Sequence, residues 1–198
     1  SNSDLSFNYV NVFMTGGMNA TQSLTIQNSN LTNSRNYTSQ FTAGADAVQK
    51  LTFLESQFIG NQNSFTVNVA DSATIVLDVS GSKFIDNTAS AVKILTNSSL
   101  HTQITSVWAN TEISSNSVAG GSALYVDVVF VMNSVFNWIQ CTITDNVAIL
   151  GGLFHLKSQD AGVNFISIKD SYLERNRAQS GGVIHLDCIK STISIETN

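Results

Sequence analysis

The sequence predicts an all-β fold, a right-handed, single-stranded parallel β-helix (solenoid) of about seven coils, and three observations carry that expectation. An apolar residue followed three positions later by asparagine recurs at Phe58 and Asn61, Phe84 and Asn87, Ile113 and Asn116, Ile143 and Asn146, and Leu173 and Asn176. These asparagines are 26, 29, 30 and 30 residues apart. Apolar and polar residues alternate at period two, as in Leu51-Thr52-Phe53 and Ile166-Ser167-Ile168, and no window carries a helical stripe.

Aligning the repeats on asparagine brings further columns into line. Eight residues earlier stand Phe53, Val79, Trp108, Trp138 and Ile168; ten earlier stand Leu51, Leu77, Ser106, Phe136 and Ile166, apolar except for Ser106. Five residues before the asparagine lies a column of small side chains, Ser56, Ser82, Thr111, Cys141 and Ser171. An earlier coil fits the template with Leu24, Ile26, Ser29, Leu31 and Ser34, and a later one begins at Ile193 and Ile195. Glycine pairs follow the asparagines at Gly120-Gly121, Gly151-Gly152 and Gly181-Gly182, and Asn11 with Gly16-Gly17 resembles the same turn.

A unit of 26 to 30 residues made of short strands and turns cannot bury its own apolar face, so the units must stack into one shared core. Equivalent positions then lie about 4.8 Å apart along the stack. The asparagine suits a sharp corner, because it tolerates left-handed backbone and its amide can bond along a ladder. The glycine pairs are expected at a second corner of positive φ.

Residues 1–198 read as one domain, with 42% apolar residues, enough for a continuous core. Only 12% of residues are charged, so the surface is polar through hydroxyls and amides. The net charge of -5 lacks the basic footprint of a nucleic-acid binder. Apolar runs such as 125–132 are too short to span a bilayer. An open end of a solenoid exposes unpaired strands, so the expected partners are further chain or end-to-end copies. Glycans or a host-surface ligand are further expected partners.

The Phe-Ile-Gly-Asn61 and Phe-Ile-Asp-Asn87 sites, with Gly-Gly-Leu153 and Gly-Gly-Val183, resemble the repeats of chlamydial polymorphic outer-membrane proteins, which pair an FxxN tetrapeptide with a GGA-type tripeptide. Similar repeats occur in extracellular β-helix proteins of protists and algae. The resemblance implies a surface-exposed β-helix used in adhesion, and hence a secreted or cell-surface location.

The sharpest chemical candidate is the outward column Tyr125, His155 and His185, spaced by 30 and 30 residues. Stacked imidazoles can share a metal ion, but no third ligand has matching spacing. The plainer expectation is a solvent-facing aromatic ladder, with no cofactor. Polysaccharide-cleaving β-helices need clustered carboxylates, whereas Asp86, Ser115, Asp145 and Arg175 share one slot and Glu112 and Glu174 fall elsewhere. No stacked acid pair emerges, so no enzyme is expected. A sugar-binding face needs outward aromatics on several coils, and Tyr125 stands alone there.

Cys141 and Cys188 both point inward by strand parity and occupy different columns; free buried thiols are expected, and a disulfide would need Cα atoms within about 7 Å. Sequons for N-glycosylation stand at Asn19, Asn30, Asn36 and Asn97. With 21 Asn and 45 Ser or Thr residues, chance gives about five, so the count carries no argument. Asn19, Asn36 and Asn97 fall in predicted loops and are the expected glycan carriers. The expected function is a structural or adhesive rod or fibril; the alternative is a carbohydrate-binding or carbohydrate-cleaving β-helix.

Overall fold

In the computed structural model, residues 4–6, 11–15, 17–33, 38–42, 44–62, 65–70, 72–95, 102–188 and 192–197 are described. Among them there is no helix, and every strand pairing is parallel. The chain is a parallel β-solenoid. Thr74–Ser80 shows why: Ile75, Leu77 and Val79 point into the core while Thr74, Val76 and Asp78 point outward. Alternation of this kind suits a pleated strand with one buried face.

Each coil contributes a strand to each of three faces. The first face runs through Asn11–Thr15, Thr38–Thr42, Phe65–Asn68, Val92–Leu95, residues 124–131, Phe154–Ala161 and Ile184–Cys188. The second runs through Thr21–Gln27, Val48–Leu54, Thr74–Ser80, Thr102–Ala109, residues 134–139, Val163–Lys169 and Thr192–Thr197. The single strand Leu124–Ile139 spans both, merging them into one 13-stranded sheet. The third face is a seven-stranded sheet of three-residue strands, including Gln57–Ile59, Lys83–Ile85 and Glu112–Ser114. Full turns fall slightly short of seven. Asp4–Ser6 begins part-way round a coil, and no third-face strand follows Thr192–Thr197 among the described residues.

The core is built from vertical columns. Phe53, Val79, Trp108, Trp138 and Ile168 stack in register and are buried. Phe58, Phe84, Ile113 and Ile143 form a second buried column, capped by the half-buried Leu173. The rings of Phe58 and Phe84 stack at 4.7 Å and 4°, and Phe53 meets Phe58 edge-on at 5.3 Å. Each such side chain contributes about 1.5–3 kcal/mol through burial. Ser106 is buried in the column of Leu77 and Phe136 because its Oγ accepts the indole N–H of Trp108 at 2.8 Å. Ile195 lies over Ile166 and Ile193 over Asn164.

The corners differ from the expectation in two respects. Left-handed backbone falls on the residue before each ladder asparagine, Gly60, Asp86, Ser115, Asp145 and Arg175, and on Asn33 in the equivalent slot of the earlier coil, all with φ between 52° and 68°. The asparagine itself is thus freed from making the bend, and its amide points inward. The glycine pairs are also out of register with one another. Gly121, Gly151 and Gly181 stack at positive φ, whereas Gly120 aligns with Leu150 and Ser180. A Cβ on Gly151 would collide with the Phe154 carbonyl, so this corner excludes a side chain. Gly152 has no positive φ; Gly182 does. Gly16 and Ser34 lie outside the described residues.

Coil lengths vary at one place. The first-face strand opens four residues after Asn61 and five after Asn87, but eight after Asn116, Asn146 and Asn176. The longer links build an additional three-stranded sheet of Ser117–Gly120, Val147–Leu150 and Arg177–Ser180. This sheet begins abruptly at Asn116 and overhangs the shorter coils beside it.

Candidate functional site

Two polar ladders run through the stack. In the first, Asn61, Asn87, Asn116 and Asn146 each donate their backbone N–H to Oδ1 of the asparagine one coil later, at 2.8–3.1 Å. The Nδ2 atoms of Asn61, Asn87, Asn116, Asn146 and Asn176 reach the opposite way, to the carbonyls of Leu31, Phe58, Phe84, Ile113 and Ile143 respectively, at 2.7–3.0 Å. Asn87, Asn116 and Asn146 also donate Nδ2 to the next Oδ1. In the second ladder, Ser56 and Ser82 Oγ accept the N–H of Ser29 and Ser56 and donate to carbonyls of their own corners. Thr111 and Ser171 make the same local bond. The hydroxyl ladder is visible in the sequence only as a run of small residues.

Cys141 occupies this hydroxyl column. Its Sγ lies 3.3 Å from the Trp108 carbonyl, and burial pushes its thiol pKa up. Cys188 stands over Ser158 on the first face and is half-buried. Neither cysteine is in a disulfide. A thiol reagent at neutral pH should therefore modify Cys188 first and Cys141 only with global unfolding, because a buried protonated thiol is a poor nucleophile. Equal rates for the two would contradict this placement.

On the first face, Lys93, Tyr125, His155 and His185 stack in register. The column points outward, yet it is not the solvent-facing ladder expected. His155 is only 2% exposed because the additional sheet folds over it. A Cβ on Gly120 would lie 3.1 Å from His155 Nδ1 and 2.8 Å from Tyr125 Cδ2, so glycine is what allows the overhang to close. His155 sits edge-on between the rings of Tyr125, at 5.0 Å, and His185, at 4.9 Å. Neither of its nitrogens has a hydrogen-bond partner. Among the described residues, no group of three or more His, Cys, Asp or Glu gathers as metal ligands.

Burial, and then the neighbouring His185, hold the His155 pKa below the ordinary imidazole range; Lys157 adds to this, and Asp127 and Asp187 oppose it. The unfolded chain binds the proton more readily, so His155 contributes stability that is present above about pH 6.5 and lost as pH falls through its lower folded pKa. The unfolding midpoint should drop as pH falls below about 6.5, and His155→Phe should flatten that slope. An unchanged slope in the variant would exclude His155 as its source.

Two residues further along the strand, Leu95, Asp127, Lys157 and Asp187 form a parallel column. Lys157 Nζ lies 3.2 Å from Asp127 Oδ2, which also accepts the Tyr125 hydroxyl at 3.3 Å. Burial and Asp127 together raise the Tyr125 pKa. At the left-handed corner Arg175 makes two bonds to Asp145, at 2.6 and 2.8 Å, and holds that carboxyl below its usual range. Lys83 pairs with Glu112 at 2.9 Å, and Glu174 with Arg175 at 2.5 Å. The acids of neighbouring coils thus meet cations.

In the lee of the overhang lies a pocket of about 570 Å³. Its floor carries Lys93, Leu95 and Tyr125, its roof Ala119, Gly120 and Ile149, and its outer wall Gln62 and Thr88. The sequence did not reveal it, because it arises from a difference in length between coils and not from any repeated residue.

Among the sequons, Asn19 is exposed in a turn at φ 57°. Asn30 opens a third-face strand, half-buried with its Oδ1 enclosed. Asn36 and Asn97 lie outside the described residues. No helix is long and apolar enough to cross a membrane among the described residues.

Fold and ladders together define a parallel β-solenoid with an internal asparagine spine and one stepped flank. No family model, curated protein or solved structure matches the chain.

Proposed function

We propose that this chain is a non-enzymatic structural or adhesive component of a secreted or cell-surface assembly, a stiff rod that extends along its axis through further coils or through end-to-end association of copies, up to a fibril. The observation that supports this is the polarity of the asparagine ladder. Every coil from Asn61 to Asn146 offers a backbone N–H toward one neighbour and a side-chain Nδ2 toward the carbonyl of the other, so one end of any stack complements the other end. The resemblance of the FxxN and Gly-Gly sites to chlamydial surface repeats supports display outside the cell.

Electron microscopy of the native material tests the reading. Rods longer than one stack, with continuous density from coil to coil, are expected. Discrete particles no longer than a single stack at every concentration would overturn it.

A further inference from the structure

The structure assigns a ligand to the pocket beneath the overhang: we propose that it binds a carboxylated sugar unit, such as the acidic residue of a glycan. This adds a ligand to the structural reading and does not depend on it.

The pocket exists only where the coil length steps up, and its roof closes over Tyr125 only because residue 120 lacks a side chain. Lys93 stands beside Tyr125 on the neighbouring strand. Among the described residues, Lys83, Lys157 and Lys169 each meet a carboxylate, at 2.9, 3.2 and 3.1 Å, whereas no ion pair reaches Lys50 or Lys93, and of these two Lys93 lines the pocket. Its ammonium therefore remains available to an anion. Asp127, the nearest acid along the Tyr125 strand, is already engaged by Lys157 and so opposes that anion little.

The rest of the lining distinguishes a sugar from a simple anion. Tyr125, Leu95, Ala89 and Ile149 provide an apolar patch for a ring face, while the exposed Gln62 and Thr88 supply an amide and a hydroxyl for ring hydroxyls. A few convergent polar groups around an apolar floor are the usual make-up of a small-ligand site, and the volume lies within the usual range. A charge-assisted bond from lysine then selects the carboxylate.

Titration of the purified protein by NMR or calorimetry tests the proposal, using a glucuronate-terminated disaccharide, its glucose-terminated counterpart, and acetate. The acidic disaccharide should bind roughly tenfold more tightly than the neutral one, the worth of one charge-assisted hydrogen bond, and acetate should bind far more weakly than either. Lys93→Gln, a surface change, should abolish the preference for the acidic disaccharide, and Gly120→Ala should weaken both disaccharides by displacing Tyr125. Equal affinity for the two disaccharides, acetate binding as tightly as the acidic one, an unaltered preference in Lys93→Gln, or no binding of either disaccharide at about 10 mM would each overturn it. All these outcomes are independent of whether the stacks assemble into rods.

Discussion

Replacing Asn116 by alanine should lower the unfolding free energy by about 2–5 kcal/mol. Asn116 is 1% exposed and uses both ends of its amide: Oδ1 accepts the N–H and Nδ2 of Asn87, and Nδ2 reaches the Phe84 carbonyl and Asn146 Oδ1. Truncation leaves the Asn87 N–H and the Phe84 carbonyl without these partners inside the wall, and each stranded group costs about 1–3 kcal/mol. Aspartate does not rescue the site, since it keeps the acceptor but loses the donor and places a charge where there is no cation. Asp86→Asn, one residue from the ladder but exposed, should stay within about 0.5 kcal/mol. Urea midpoints for the three variants provide the comparison; if Asn116→Ala cost no more than Asp86→Asn, the ladder would not be a source of stability.

Trp108→Ala should cost about 3–5 kcal/mol, as should Trp138→Ala, because both indoles are fully buried in one column and their loss opens a cavity between rigid sheets. Substitution by phenylalanine separates them. Trp108 Nε1 donates to Ser106 Oγ at 2.8 Å, so Trp108→Phe leaves a hydroxyl in the core without its indole partner. Trp138 Nε1 has no acceptor, and Trp138→Phe removes an unmet donor along with some volume. Trp108→Phe should therefore be the more destabilising of the two, and the double variant Ser106→Ala/Trp108→Phe should recover part of the loss. The reverse order would mean that ring volume alone governs this column.

The fold was legible because a solenoid writes its core as a repeat: Phe58, Phe84 and Ile113 declare their contact simply by their spacing. The backbone corners were less legible. Asparagine is the residue most readily assigned to left-handed backbone, yet here Asp86, Ser115 and Arg175 take that conformation, and only the hydrogen-bond pattern shows why Asn87 and Asn116 are held inward instead. Strand parity placed His155 outward correctly but was silent about what covers it, since the overhang comes from another part of the coil. The signal was present in Gly120, which falls out of step with Gly151 and Gly181 and lies against Tyr125 and His155.

The asparagine spine also makes length a discrete variable for this architecture. Ser117 lies in register with Val147, and Asn116 with Asn146, so removing residues 117–146 would join Asn116 to Val147 with every column still aligned. The same holds for copying that segment. Gene duplication or loss in steps of one coil can therefore lengthen or shorten such a chain without redesigning any joint, while an insertion of intermediate size must emerge as a loop or ledge on the flank. The overhang that starts after Asn116 is a ledge of the latter kind, and it recurs in register in the two coils that follow.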